Sequence, residues 1–372
     1  MKTKLKYQLT FKWIQLLKKL GRPKKRQFKN ADYSRILIIS NTGIGDTMWG
    51  TPALSMIREK YPQSHISILT SPLSHQILLH NPHPNELILL KNSGGLTLLS
   101  HFFRLYKKKF DTVIVFHSSY KWVIPFCYFL SPKHFIAFKH DAKMFDYLLT
   151  DVLEAKLNHP IIQRLMLAKK IGVTQEEFQI KIYLQKSEEK KAEKFIMDLK
   201  IDPNKPIIGM QPGASEPFKR WPTKNFALLA QKLHLELEAQ IVIFGNLDEI
   251  PLANEIKKSA PIFLAAGQIP LRVSCALIKK MDVFITNDTG PLHLAIAQKV
   301  PLLTFFGPTP CHLCWPHLKD PKVRIMFKPV PCIKCVNKRC QLPFCMELLE
   351  VQDAFNHVKQ LLSLENSLAS VH

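Results

Sequence analysis

From Arg35 onward, apolar residues come in short unbroken runs, and Pro, Gly, Asn and Ser punctuate the polar segments between them. Residues 35–40, 65–71, 86–90 and 111–117 read as strands, and Thr47 to Tyr61 reads as a helix with Pro52 inside it. Runs of Ile, Leu and Val without in/out alternation suit a parallel sheet covered on both faces, and the intervals suit right-handed crossovers. One α/β unit therefore spans about residues 35–170. A charged stretch, Lys186 to Lys205, predicts a helix and a turn at Asp202-Pro203-Asn204. Strand-like runs then recur at 206–212, 240–245, 261–267, 283–287 and 302–307. Helical pattern fills the gaps at Phe226–Leu237, Leu252–Ser259, Val273–Lys280 and Leu292–Gln298, giving a second unit over about 206–310. Met346 to Leu364 has the spacing of an amphipathic helix. Ligand sites in such sheets lie beyond the carboxyl ends of the strands, and the cleft between two such units is the default place to look.

Composition narrows the classes. The chain has 372 residues, 46% hydrophobic and 22% charged, which is ordinary for globular domains and favours two of them. The longest strongly apolar run, Trp122 to Leu130, falls short of the about 20 residues that span a bilayer, which excludes a polytopic membrane protein. Net charge is the unusual feature: 52 Lys+Arg against 29 Asp+Glu leaves +23, which implies an anionic partner. Residues 1–30 supply +11 of it and contain no acid. Leu9, Trp13, Leu16, Leu17 and Leu20 recur among those lysines at helical spacing. A basic helix with an apolar stripe reads as an interfacial segment, attracted to anionic lipid by about 1 kcal/mol per nearby cation. A solvated basic extension is the plainer alternative, and nucleic-acid contact a third. Lysines interrupt any signal-peptide apolar region.

Three loops, each following a strand, carry candidate chemistry. Ser40-Asn41-Thr42-Gly43-Ile44-Gly45-Asp46 opens a helix without the third glycine of a dinucleotide fingerprint or the Gly-Lys-Ser/Thr of a P-loop. Gly43 and Gly45 allow a tight turn and close ligand approach, with Thr47 beginning the helix. An acid where a phosphate would sit argues for a carboxylate with a chemical role, with helix capping as the alternative for Asp46. Gln211-Pro212-Gly213-Ala214-Ser215 leads into Lys219, Arg220 and Trp221, so amides near Gly213 and Ser215 could cradle an oxyanion beside two cations. Thr223 reads as a helix cap. Asn287-Asp288-Thr289-Gly290-Pro291 enters a helix containing His293, with Asp288 or Thr289 able to cap and the helix amides open to a phosphate.

Together these segments resemble, in order and spacing over about residues 35–360, the three signature segments of family 9 glycosyltransferases, the bacterial lipopolysaccharide heptosyltransferases. The resemblance implies a GT-B fold: two facing Rossmann-like α/β domains, a C-terminal helix and, here, a basic amphipathic N-terminal extension. The expected division is 1–30 for the extension, 31–185 for the acceptor domain, 186–345 for the ADP-sugar domain and 346–372 for the C-terminal helix and tail. It implies Asp46 as the base for the acceptor hydroxyl, in a loop with Gly43, Gly45 and Thr47 on the acceptor side. It implies donor contacts at Gly213, Ser215, Lys219, Asp288, Thr289, Gly290 and His293, with Arg220 at a more variable position. Asp248 or Glu249 could meet the adenosine or ribose hydroxyls. With one carboxylate at the acceptor mouth, inversion by direct displacement is expected. The expected donor is ADP-heptose and the acceptor an acidic glycolipid, the lipid A-Kdo core. No cofactor is required, and there is no nucleic-acid partner. The protein is expected to be a cytoplasmic monomer, peripheral on the inner membrane. A related transferase with another nucleotide sugar or acceptor is the near alternative, and a non-catalytic, membrane-docked nucleotide binder the distant one.

Eight cysteines complete the picture, six of them in 311–345. Cys311, Cys314, Cys332 and Cys335 have zinc-ribbon spacing, and Cys332, Cys335, Cys340 and Cys345 form a second possible quartet. Structural zinc, free thiols and disulfides are all open. Lys91, Arg104, Lys107, Lys121, Lys139 and Lys143 could meet phosphorylated sugars, with solvated faces as the plainer reading.

Overall fold

A computed structural model describes residues 32–91, 95–118, 120, 122–154, 159–176, 178–307, 309, 320–330, 340 and 344–369. The basic segment 1–30 and Cys311, Cys314, Cys332 and Cys335 lie outside these residues. The chain divides into two units: one comprises residues up to His75 with Asn81–Glu177, the other Gln76–His80 with Phe178 onward. No described helix is long and apolar enough to cross a membrane.

The first unit holds β1 (Arg35–Ser40), β2 (His65–Thr70), β3 (Glu86–Leu89), β4 (Thr112–His117), β5 (His134–Phe138) and β6 (Asp151–Leu153). All pairings are parallel, in the order β3-β2-β1-β4-β5-β6. The second unit holds β7 (Ile207–Gln211), β8 (Gln240–Ile243), β9 (Ile262–Leu264), β10 (Val283–Asn287), β11 (Leu302–Phe306) and β12 (Val323–Phe327), in the order β12-β11-β10-β7-β8-β9. Read from its other edge, the second sheet has the same doubly wound order as the first, so both units are Rossmann-like. The α/β class with two Rossmann-like units expected from the sequence is the one observed. Three strands were not anticipated: β5, β6 and β12. β6 is three residues long and β12 is mostly half-buried with Arg324 inside it, so neither shows the unbroken apolar run of a central strand. β5, by contrast, is as buried as β7, and its apolar run 135–138 simply went unread.

The helices that bear on function are α1 (Ile44–Lys60), α2 (Pro160–Lys169), α3 (Lys186–Asp198), α4 (Thr223–Leu237), α5 (Leu271–Ile278), α6 (Gly290–Ala297) and α7 (Val351–Ala369). α1 begins three residues earlier than predicted, with Gly43 as N-cap, so Asp46 lies inside the first turn and does not cap it. Pro52 removes one backbone donor from α1, and the Thr51 hydroxyl donates instead to the Met48 carbonyl at 2.8 Å. Gly50 lets α1 lie close to β4, because a Cβ there would meet Phe116 at 2.9 Å. Pro222, not Thr223, is the N-cap of α4.

Each unit has its own core. In the first, Leu37, Ile39, Val113, Val115, Phe110 and Phe135 are buried together. In the second, Ile208, Met210, Trp221, Phe226, Ile285 and Phe305 form the centre, and α7 closes it with Ala354, Phe355, Val358 and Leu361.

Candidate active site

In a doubly wound sheet, the strand order reverses between the first and fourth strands, and ligands bind in the crevice beyond their carboxyl ends. In the first unit this point lies between β1 and β4, where Ser40 pairs with His117. The Gly43–Asp46 turn follows β1, and His117 ends β4, so the fold itself brings them together.

The Asp46 carboxylate, 29% exposed, has a neighbour near each oxygen. Arg164 of α2 donates from Nη2 to Oδ1 at 3.1 Å, and His117 Nε2 lies 3.7 Å from Oδ2. The Arg164 side chain is only 4% exposed. Burial lowers the pKa of its guanidinium, and Asp46 and Asp141 pull it back up. A second Arg164 nitrogen donates to the Pro160 carbonyl at 3.2 Å, and its guanidinium lies over the Trp49 ring of α1. His117 Nδ1 lies 2.9 Å from Oδ1 of the buried Asp141, whose Oδ2 is 3.3 Å from His140 Nε2. The donor atoms of His117, His140 and Asp141 fall within 4.8 Å of one another, close enough to be considered for a cation.

Other residues of this loop have plainer positions. Gly43 has φ −82°, a conformation open to any residue, and nothing lies within 4 Å of where its Cβ would be. Gly43 is thus not required by its backbone conformation, and the open space beside it leaves room for the close approach expected of a ligand. Gly45 sits partly exposed in the first turn of α1. Thr47 is turned inward, its buried hydroxyl 2.8 Å from both Gly43 O and Ser74 Oγ, so it secures the loop instead of facing a ligand. Asn41 is buried beside them. Arg104 pairs with Glu86 and Lys139 with Glu154 at the surface, as solvated faces would.

The second unit repeats the geometry, with the β7 and β10 loops at its switch point. Asn287, fully buried at the end of β10, accepts from Trp221 N at 2.8 Å and donates to the Pro212 carbonyl at 2.9 Å. It therefore fixes both ends of the Gly213–Arg220 loop. Trp221 anchors that loop in the core, donating from Nε1 to Leu349 O at 3.0 Å and stacking on Phe305. Lys219 Nζ lies 2.6 Å from the Asp288 carboxylate, so the two predicted residues meet. Arg220 donates from Nε and Nη2 to the Ala214 carbonyl at 2.9 and 2.6 Å, which commits it to its own loop. Ser215 is exposed.

Glu249, not Asp248, is turned towards this loop. Its carboxylate accepts from Gln211 Nε2 at 3.0 Å and occupies the space a Cβ at Gly213 would need. Asp248 is exposed. Thr289 is the N-cap of α6 but makes no side-chain capping bond, and His293 is buried within that helix. Cys345 is buried and Cys340 half-buried.

Sequence reasoning missed Arg164 and Asp141 as site residues and gave no individual role to His117 or Asn287. Arg164 carried a weak signal, a lone cation on the apolar face of Pro160–Lys169. The others sat in stretches read as strand ends or charged loops.

Two doubly wound units, one offering a held carboxylate and the other a lysine and helix amides, define a two-unit α/β transferase. The chain belongs to the family described as Glycosyltransferase family 9 (heptosyltransferase), which it matches over residues 98–345. It is a glycosyltransferase. Lipooligosaccharide heptosyltransferase 2 of Haemophilus influenzae is 29% identical over 293 residues, covering 74% of this chain and 83% of that protein. Lipooligosaccharide heptosyltransferase 2 of Campylobacter jejuni is 27% identical over 337 residues, covering 88% and 98%. The solved E. coli ADP-heptose lps heptosyltransferase II shares the fold with a TM-score of 0.75, at 22% identity over 89% of this chain and 99% of that one.

Proposed function

We propose that this protein transfers a heptose from ADP-L-glycero-D-manno-heptose to the inner core of lipopolysaccharide, with inversion, using Asp46 as general base. The observation that carries the reading is the Asp46 carboxylate, part-exposed at the switch point of the first sheet and fixed by Arg164. The relatives' names supply the sugar and the glycan class. As the acceptor hydroxyl loses its proton to Asp46, its oxygen bonds to the anomeric carbon and the bond to the diphosphate breaks.

The second unit receives the leaving charge. Lys219, presented by Asp288, and the positive end of the α6 dipole neutralise the departing diphosphate. Glu249, which is turned towards the Gly213 loop, is our candidate for the ribose hydroxyls. Asp141, the other acid near Asp46, is buried behind His117, which favours direct displacement over a covalent intermediate. Residues 1–30 hold the enzyme at the cytoplasmic face of the membrane that carries its acceptor.

Assay of the purified protein with ADP-heptose and truncated core acceptors tests the substrates, and Asp46→Asn tests the base. The variant is expected to bind ADP normally and to lose at least about 100-fold in kcat. Unchanged turnover in Asp46→Asn would refute the assignment.

A further inference from the structure

We infer that His117 and Asp141 form a proton-accepting support behind Asp46: His117 Nε2 receives the proton that Asp46 takes from the acceptor, and Asp141 stabilises the imidazolium that results. The inference rests on the reading of Asp46 as the base.

The argument begins with hydrogen-bond inventory. Asp141 Oδ1, an acceptor, lies 2.9 Å from His117 Nδ1, so Nδ1 carries the ring proton of the neutral imidazole. The opposite nitrogen, Nε2, is then a bare lone pair aimed at Asp46 Oδ2, another acceptor, across 3.7 Å. Two acceptors facing each other leave room for one proton and gain a hydrogen bond when it arrives. Catalytic hydrogen bonds are often long in ligand-free structures and tighten with substrate bound. Arg164 occupies Oδ1, which leaves Oδ2 as the oxygen that meets the acceptor hydroxyl.

The step balances. The acceptor O–H bond breaks as the O–C bond to the anomeric carbon forms, and the sugar–phosphate bond breaks with its electron pair on ADP. The proton passes to Asp46 Oδ2 and on to His117 Nε2. Asp141 then faces an imidazolium, and Asp46 returns to its ionised form beside Arg164. The charged and titratable groups around His117 are Asp46 on α1, Asp141 and His140 in the short helix Lys139–Ala142, and Arg164 through its bond to Asp46. Lys139 is engaged at the surface by Glu154.

The same donors could instead be read as a cation site. Asp141 Oδ1 and His117 Nδ1 already satisfy each other, and the Arg164 charge lies against Asp46, so the hydrogen-bonded reading is the stronger.

His117→Gln and Asp141→Asn, compared with Asp46→Asn and the unmodified enzyme, test the inference. His117→Gln is expected to lower kcat about 10- to 100-fold, with KM for donor and acceptor little changed. It should also move the acid limb of the kcat–pH profile to lower pH, because a carboxylate alone then sets the limb. Asp141→Asn should lower kcat less and move the limb the same way. An ADP-induced rise in Tm like that of the unmodified enzyme establishes that each variant is folded. A reduced kcat with an unmoved acid limb in both variants would reduce the pair to a structural role and overturn the inference. Loss of activity on chelation, restored by a divalent cation and absent in both variants, would overturn it in favour of a metal. Wild-type kcat in His117→Gln with an inactive Asp46→Asn would discard the relay and keep the base. An active Asp46→Asn would remove both.

Discussion

Asn41 sits at the carboxyl end of β1 with 2% exposure, and neither of its amide atoms has a hydrogen-bond partner. Leaving buried polar groups unpaired costs about 1–3 kcal/mol, a cost that persists only where the surroundings over-determine it or a ligand supplies the partner. Asn41 adjoins the loop that holds Asp46, so an acceptor hydroxyl is the natural partner. Asn41→Leu, similar in size and apolar, should therefore keep or raise the unfolding midpoint while raising the acceptor KM about tenfold, roughly 1.4 kcal/mol of binding. Thermal melts and acceptor saturation curves, run on the same preparation, check both halves. A clear loss of stability would show that the amide serves the fold. Asp46 makes the complementary point, since the one hydrogen bond to its carboxylate comes from a group distant in sequence. The Asp46 loop was legible because Gly, Asn and Asp cluster directly after an apolar run. Its partner Arg164 was not, because 118 residues separate them and only the β1/β4 and α1/α2 packing brings them together.

At the scale of elements, the loop from Gly213 to Trp221 depends on one side chain of β10. Asn287→Ala would strand the Trp221 N–H and the Pro212 carbonyl inside the second core, and each group loses its partner without gaining water. The expected cost is about 2–4 kcal/mol, with weakened ADP binding, because the loop that carries Lys219 loses its anchor. Urea unfolding and ADP titration measure the two effects. Helices α3 and α5 are joined by Arg272, which donates to both Glu188 oxygens and to the Tyr183 carbonyl. Burial would raise the Glu188 pKa, but the bonds from Arg272 and from the Gln185 backbone outweigh it and hold the group below its ordinary value of 4.5. A carboxyl whose folded pKa is depressed contributes stability above its unfolded pKa and loses it as pH falls through the folded one. Melting midpoints should therefore fall below about pH 4.5 more steeply in the unmodified protein than in Glu188→Gln. Equal slopes would remove this pair from the acid response. The helices themselves were visible as periodic patterns, whereas this buried ion pair across them leaves no local trace.

Over the whole molecule, two units whose sheets share one order account for most of the chain, and each carries a motif loop at the same topological point. Central strands declared themselves as continuous apolar runs because both faces are covered. The edge strands β6 and β12 did not, being three residues long and interrupted by Arg324 respectively, while β5 is a buried apolar run that went unread. The charge is divided: the last 342 residues supply +12 of the +23, and residues 1–30, outside both site loops, supply +11. If that segment docks on lipid, the full-length protein should bind vesicles containing an anionic phospholipid and ignore zwitterionic ones. Binding should weaken as salt shortens the screening length from about 10 Å at 0.1 M towards about 3 Å at 1 M. Replacing Lys18, Lys19, Lys24, Lys25 and Arg26 with Gln removes five of the eleven cations and should abolish most vesicle binding, at about 1 kcal/mol for each charge near the surface. The same variant should keep its ADP affinity and its turnover on a soluble acceptor, because the groups assigned to catalysis lie after β1, β4, β7 and β10. Sedimentation with vesicles gives the first quantity and a soluble-acceptor assay the second. Vesicle binding that survives the substitutions would move the docking surface into the folded units, and lost turnover on the soluble acceptor would mean that the segment serves the active site itself.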